Sequence, residues 1–177
     1  MAKKFQGKYR TESHRYNHWN YTNDGAYFIT LCAKYRDEYF GTITDGKMHL
    51  SDIGRILKEE WFRSKDIRSE LDLNLDNYVI MPDHFHGIII IRRRDAKPGV
   101  STLADKMNIC NKFGPQSNNI PSIIRGFKSK VTVRARKINP EFAWQRGYYD
   151  RIIRDAYEFW RIRKYILENL IQFLEKT

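Results

Sequence analysis

The chain has 177 residues, of which 32 are Lys or Arg and 21 are Asp or Glu, giving a formal charge of +11 and a sequence pI of about 9.7. A chain of this size can bury its own core, and the cationic excess favours a polyanionic partner, either nucleic acid or an anionic membrane surface. No apolar run approaches the ~20 residues of a membrane span, the basic start lacks the apolar stretch of a signal peptide, and Cys32 and Cys110 have no paired spacing, so a membrane protein and a disulfide scaffold are excluded and a reducing, cytoplasmic setting is expected.

Residues 1–24 are polar, basic and aromatic, with Arg15 and Trp19 among them. They read as an extended arm that touches a partner or as a loosely packed extension. Basic groups interleaved with aromatics suit single-stranded nucleic acid, where bases stack while phosphates meet cations. Ala26 to Ala33 is a strong strand with Cys32 as a buried thiol. Tyr39 to Ile43 is a shorter strand, Asp45-Gly46 a hairpin-type turn, and Met48 to Leu50 a brief return. Ser51 is placed to cap a helix running to about Ser69, with Ile53, Ile56, Leu57, Trp61 and Phe62 at helical spacing.

Leu71 to Met81 and His84 to Ile91 are two further strands, separated by Pro82, which cannot donate to a ladder. Four consecutive isoleucines, Ile88 to Ile91, suit a strand buried on both faces. Alternate side chains of a strand share a face, so His84 and His86 point one way and Phe85 the other. Two imidazoles side by side can chelate a metal; they can also be simple hydrogen-bonded histidines. Arg92-Arg93-Arg94 closes the strand as a phosphate-contacting patch or a solvated charge run, and residues 95–120 read as a long flexible excursion.

Pro121-Ser122 opens a second helix, apolar along Ile123, Ile124, Phe127 and Val131 and basic along Arg125, Lys128 and Arg134. Phe142 to Trp144 is a candidate fifth strand, Gly147 to Arg154 continues extended, and Asp155 caps a last helix to about Leu174. The order β-β-α-β-β, then α, a short β and α, predicts an α+β domain over residues 25–177: a ferredoxin-like or RNA-recognition-like antiparallel sheet with helices packed on it. On the last helix Tyr165 and Asn169 are four apart and share a face. A phenol can be a nucleophile and an amide oxygen can join a metal site; a boundary tyrosine and a solvent-facing asparagine are the plainer alternative.

His84-Phe85-His86 has the histidine–hydrophobic–histidine form of the HUH nucleases. Trp144-Gln145-Arg146-Gly147-Tyr148-Tyr149-Asp150-Arg151-Ile152-Ile153-Arg154 resembles the W-Q-x-x-[FY]-[FWY]-[DE]-x-x-I-R segment of REP-associated tyrosine transposases. Tyr165-Ile166-Leu167-Glu168-Asn169 is similar to the start of that family's Y-I-x-x-N-P sequence, with Leu170 in place of the proline. The likeness runs from about Tyr16 to the end of the last helix, with the three segments in the family's order. It implies an HUH endonuclease fold and cleavage and rejoining of single-stranded DNA next to hairpins. It makes Tyr165 the nucleophile that forms a 5′-phosphotyrosine link, and His84, His86 and Asn169 the ligands of Mg²⁺ or Mn²⁺. It also implies a homodimer as one arrangement, with the tyrosine supplied in trans. Candidate DNA contacts are Arg15, Trp19, Arg92, Arg93, Arg125, Lys128 and Arg134. The competing readings are another HUH nuclease such as a replication initiator, a non-catalytic nucleic-acid-binding module of the same fold, and a small zinc domain. The zinc domain lacks a four-ligand set.

Overall fold

The computed structural model describes residues 24–67, 71–93 and 119–174, together with the paired short strands β1 (Lys4–Phe5) and β2 (Tyr9–Arg10). Arg15, Trp19 and most of the 95–120 excursion lie outside the described residues.

The central sheet has four antiparallel strands in the order β6 (Leu71–Ile80), β7 (His84–Arg93), β3 (Gly25–Cys32) and β8 (Tyr149–Ile153). A small hairpin, β4 (Gly41–Thr44) and β5 (Lys47–Leu50), turns at Asp45-Gly46 and leads into α1 (Asp52–Asp66). The later helices are α2 (Ile120–Ala135) and α3 (Ala156–Leu174). The predicted α+β sheet with packed helices is what forms. The fifth strand expected at Phe142 to Trp144 reduces to one bridge, Ala33 with Trp144, because Phe142 turns inward to pack on Tyr39 and Phe40.

Each helix starts where a side chain takes up an orphan amide. Ser51 Oγ accepts from Gly54 N at 3.0 Å, and Asn119 and Ser122 form a reciprocal capping box ahead of α2. Asp155 Oδ1 accepts from Glu158 N at 2.7 Å ahead of α3.

The two faces of the sheet bury different partners. Tyr27, Ile29, Leu31, Phe85, Ile89 and Ile91 pack against α1 and α2 through Leu57, Trp61, Ile124 and Phe127. Phe28, Ile88 and Ile153 face the other way and pack against Ile162 and Ile166 of α3. The isoleucine run is therefore buried on both sides, as a strand between helical layers must be.

Gly87 lies on the α1 face, where Trp61 approaches so closely that a Cβ would sit 2.9 Å from its ring. Trp61 cannot retreat, because Phe85 at 4.8 Å and Phe127 at 5.8 Å hold it edge to face. Gly87→Ala is expected to cost about 1–3 kcal/mol by overpacking, read as a lower urea midpoint with an unchanged denaturant slope. A variant as stable as the parent would show that the layer can shift.

Candidate active site

The link between β6 and β7 is held at three backbone points. Met81 N donates to His84 O at 2.8 Å, Ala33 N to Asp83 O at 2.9 Å, and Phe40 N to Pro82 O at 2.9 Å. The turn therefore delivers His84 into the sheet opposite Cys32, and His86 opposite Thr30. Both rings lie on the α3 face, their centroids 4.7 Å apart.

Each imidazole is oriented through Nδ1. Asp83 Oδ1 sits 2.5 Å from His84 Nδ1, while its other oxygen pairs with Arg36 Nε at 2.6 Å. Thr30 Oγ1 lies 2.8 Å from His86 Nδ1, and Phe28 stacks on the His86 ring at 5.3 Å. Arg36 reaches this position from a turn in which Tyr35 and Arg36 both hold positive φ, 58° and 64°. That conformation is costly for residues with a side chain and is sustained only by surrounding contacts.

α3 supplies the tyrosine. Ile162 and Ile166 anchor the helix on the sheet, and Arg163 clips it sideways to a bulge in β6, where it meets Asn77 Oδ1 at 3.0 Å and Asp76 Oδ1 at 3.2 Å. Tyr165 is 39% exposed, with its hydroxyl 3.4 Å from His86 Nε2. That distance is a close approach rather than a formed hydrogen bond. Asn169 follows one turn later, roughly 6 Å along the axis, and is buried. Lys164 pairs with Glu168 and Arg163 with β6, so neither neighbour in sequence is directed at the phenol.

Burial pushes the His84 pKa below its ordinary value, against the pull of Asp83, and takes His86 to about 3, with the neighbouring His84 and Arg36 charges adding to the effect. Both rings are therefore neutral at physiological pH, the form that ligates metal. With Nδ1 engaged, the remaining ring nitrogen of each is Nε2, and a carboxylate behind the ring is the arrangement that orients metal-binding histidines. The donors this leaves for a divalent ion are His84 Nε2 and His86 Nε2, with the buried Asn169, one turn beyond Tyr165, as the expected third ligand. No three His, Cys, Asp or Glu side chains cluster as metal ligands among the described residues, so a zinc centre of that kind is not formed there.

The same burial sets a pH dependence. An unfolded histidine binds a proton below about pH 6.5, whereas folded His86 does so only near 3. Between those values the unfolded chain takes up a proton that the fold refuses, so stability falls as pH falls, by up to about 1.4 kcal/mol per pH unit for one such group. In EDTA the urea midpoint is expected to drop between pH 7 and pH 5, with a shallower drop for His86→Gln. Equal slopes for the two proteins would rule His86 out as the cause.

The other candidate contacts fall elsewhere. Arg92 is exposed and shares the histidine face of β7, but lies about 20 Å along the strand from His86. Arg93 ends β7 opposite Leu71. Arg125, Lys128 and Arg134 belong to α2, on the opposite side of the sheet from the histidines. Arg125 is exposed. Arg134 bridges to Glu60 at 2.7 Å and Glu59 at 2.6 Å of α1. Lys128 Nζ turns inward to Gln145 O at 2.9 Å and Gly147 O at 2.8 Å, and burial lowers its pKa. Cys32, expected to be buried, is half-buried on the histidine face and receives Arg36 Nη1 at 3.1 Å.

No family model matches the chain. A curated protein of Haemophilus influenzae, described as uncharacterized, is 38% identical over 167 residues, covering 93% of this chain and 91% of that protein. A solved structure of a REP-associated tyrosine transposase bound to a REP hairpin is similar with a TM-score of 0.60 and 17% identity, covering 92% of this chain and 74% of that one. The chain therefore shares the fold of that transposase, an HUH-type antiparallel sheet with helices packed on it. By sequence, the chain belongs to one family with the Haemophilus influenzae protein.

Proposed function

We propose that the protein cleaves and rejoins single-stranded DNA beside hairpins, with Tyr165 as the attacking group. The observation that carries this is the Tyr165 hydroxyl lying 3.4 Å from His86 Nε2, beside a second neutral histidine oriented by a carboxylate. The phenol oxygen bonds to the scissile phosphorus in line with the departing oxygen. The protein is left joined to the 5′ phosphate, and the leaving 3′ oxygen departs as a hydroxyl. One phosphoester replaces another, so a 3′ hydroxyl can reverse the step without ATP. A divalent ion, Mg²⁺ or Mn²⁺, supplies polarisation of the phosphate and offsets its developing charge when bound at His84, His86 and Asn169.

The chain's own residues do the positioning. Asp83 and Thr30 fix the two rings, and the Arg163 clip fixes the register of α3. The tyrosine and the histidines come together within one chain.

A purely binding RNA-recognition-like module needs exposed aromatics on the central strands as stacking platforms. The aromatic there, Phe28, is buried under α3 and packed on His86 and Tyr165.

The test is incubation of labelled hairpin DNA carrying single-stranded tails with protein and Mn²⁺ or Mg²⁺. The expected result is a covalent band on a denaturing gel that EDTA removes, with the adduct mapping to the tryptic peptide 165–176. An adduct on any other residue, or none with bound hairpin, rejects the reading.

A further inference from the structure

Next to the histidines lies a cavity of about 480 Å³, lined by Thr30, Cys32 and the segment from Gln145 to Asp150. That volume is within the range of sites that hold a small organic ligand. The sheet register explains its position. His86 of β7 is opposite Thr30 of β3, and Thr30 is opposite Tyr149 of β8. The three side chains form one row across the histidine face, so Tyr149 lies about two strand spacings, roughly 10 Å, from His86. Thr30 belongs to both places: its hydroxyl orients His86, and it forms part of the cavity wall.

The wall is rigid and carries mixed chemistry. Lys128 Nζ holds the carbonyls of Gln145 and Gly147 from behind, with Trp144 beneath it at 5.5 Å, and Gln145 N donates to Cys32 O at 2.9 Å. Gly147 takes φ +78°, a conformation most residues avoid, to bring the chain round into β8. What faces outward is an amide at Gln145, a cation at Arg146 and a phenol ring at Tyr149, all exposed. An aromatic face, a hydrogen-bonding amide and a cation are the groups that receive a base and its phosphate.

We infer that this cavity binds one unpaired nucleotide of the DNA strand, next to the phosphate at His86, and reads its base. Tyr149 stacks on the base, Gln145 meets its edge, and Arg146 takes the adjoining phosphate. Lys128 is a positioning residue that holds the wall without touching DNA. This rests on the function proposed above, and the experiment separates the two.

The experiment moves a single abasic site through the single-stranded tails of hairpin DNA and measures affinity for the full chain carrying Tyr165→Phe, which binds without reacting. One tail position is expected to lose about tenfold in affinity when the base is removed, as for loss of one stacked base. The other positions should change little. In Tyr149→Ala, and in the exposed variant Arg146→Ala, intact DNA should bind more weakly and Tyr149→Ala should no longer distinguish the abasic position. Uniform affinity at all positions, or a position effect unchanged in both variants, overturns the cavity assignment. In that case a covalent adduct on intact DNA would still support the proposed chemistry. A position effect that disappears on adding Tyr149→Ala, together with no adduct from the Tyr165 parent on intact DNA, would support the cavity and reject the chemistry.

Discussion

Tyr165→Phe is expected to lower covalent adduct formation by ~10³-fold or more, to background, while leaving hairpin affinity within about twofold. The substitution removes only the oxygen that attacks. The ring keeps its edge contacts with His86 at 5.4 Å and Phe28 at 6.1 Å, and the helix beneath it stays fixed by Ile162, Ile166 and the Arg163 clip. Because Tyr165 is 39% exposed and its hydroxyl lies 3.4 Å from His86 Nε2 rather than at full hydrogen-bonding distance, its loss is expected to cost the fold little. The measurement is a pair: adduct yield on a denaturing gel and Kd by fluorescence anisotropy on the same DNA. Loss of both would mean that the ring is a binding element. Loss of neither would remove Tyr165 from the chemistry. Lys164→Ala serves as a neighbour control, since its ammonium faces Glu168 rather than the phenol.

Strand periodicity alone made one face of the site legible. His84 and His86 had to share a side, and the isoleucine run behind them had to be buried on both. Helical spacing did the same for Tyr165 and Asn169. Nothing local says that α3 crosses the sheet at His86, because that depends on which strands Ile162 and Ile166 cover; the family resemblance carried that step. The groups that orient the histidines show two degrees of concealment. Asp83 stood beside His84 in the sequence, and a carboxylate next to a candidate ligand was a usable signal. Thr30 is 56 residues from His86, and only the register of β3 on β7 brings them together. The placement of the basic helix relative to the histidines was hidden for a related reason. Its charge pattern resembles a phosphate-binding face, yet α2 packs on the far side of the sheet, where Arg134 binds α1 and Lys128 braces a loop. A cation count cannot distinguish a charge facing solvent from one committed to carbonyls inside the fold.

Removing either imidazole is expected to abolish metal-dependent activity, and removing the carboxylate behind one of them to weaken it by a smaller, separable amount. His84→Ala and His86→Ala each delete one of two nitrogen donors, and Mn²⁺ titrated by calorimetry should then show no binding at concentrations that saturate the parent. Asp83→Asn keeps the ring and a hydrogen-bond acceptor but loses the negative charge that orients His84 and makes it a better donor. Such outer partners typically contribute 10–100-fold in metal affinity, so adduct formation by Asp83→Asn should recover as Mn²⁺ is raised, whereas that of His84→Ala should not. Asp83 also pairs with Arg36, whose turn holds two residues at positive φ. Some stability is therefore expected to be lost as well, and the metal titration is run at a temperature where circular dichroism shows the variant folded. Unchanged Mn²⁺ affinity in both alanine variants would place the ion elsewhere and leave the histidines as a buried, neutral pair beside the tyrosine. Recovery in Asp83→Asn together with none in His84→Ala would assign ligation to the ring and orientation to the carboxylate.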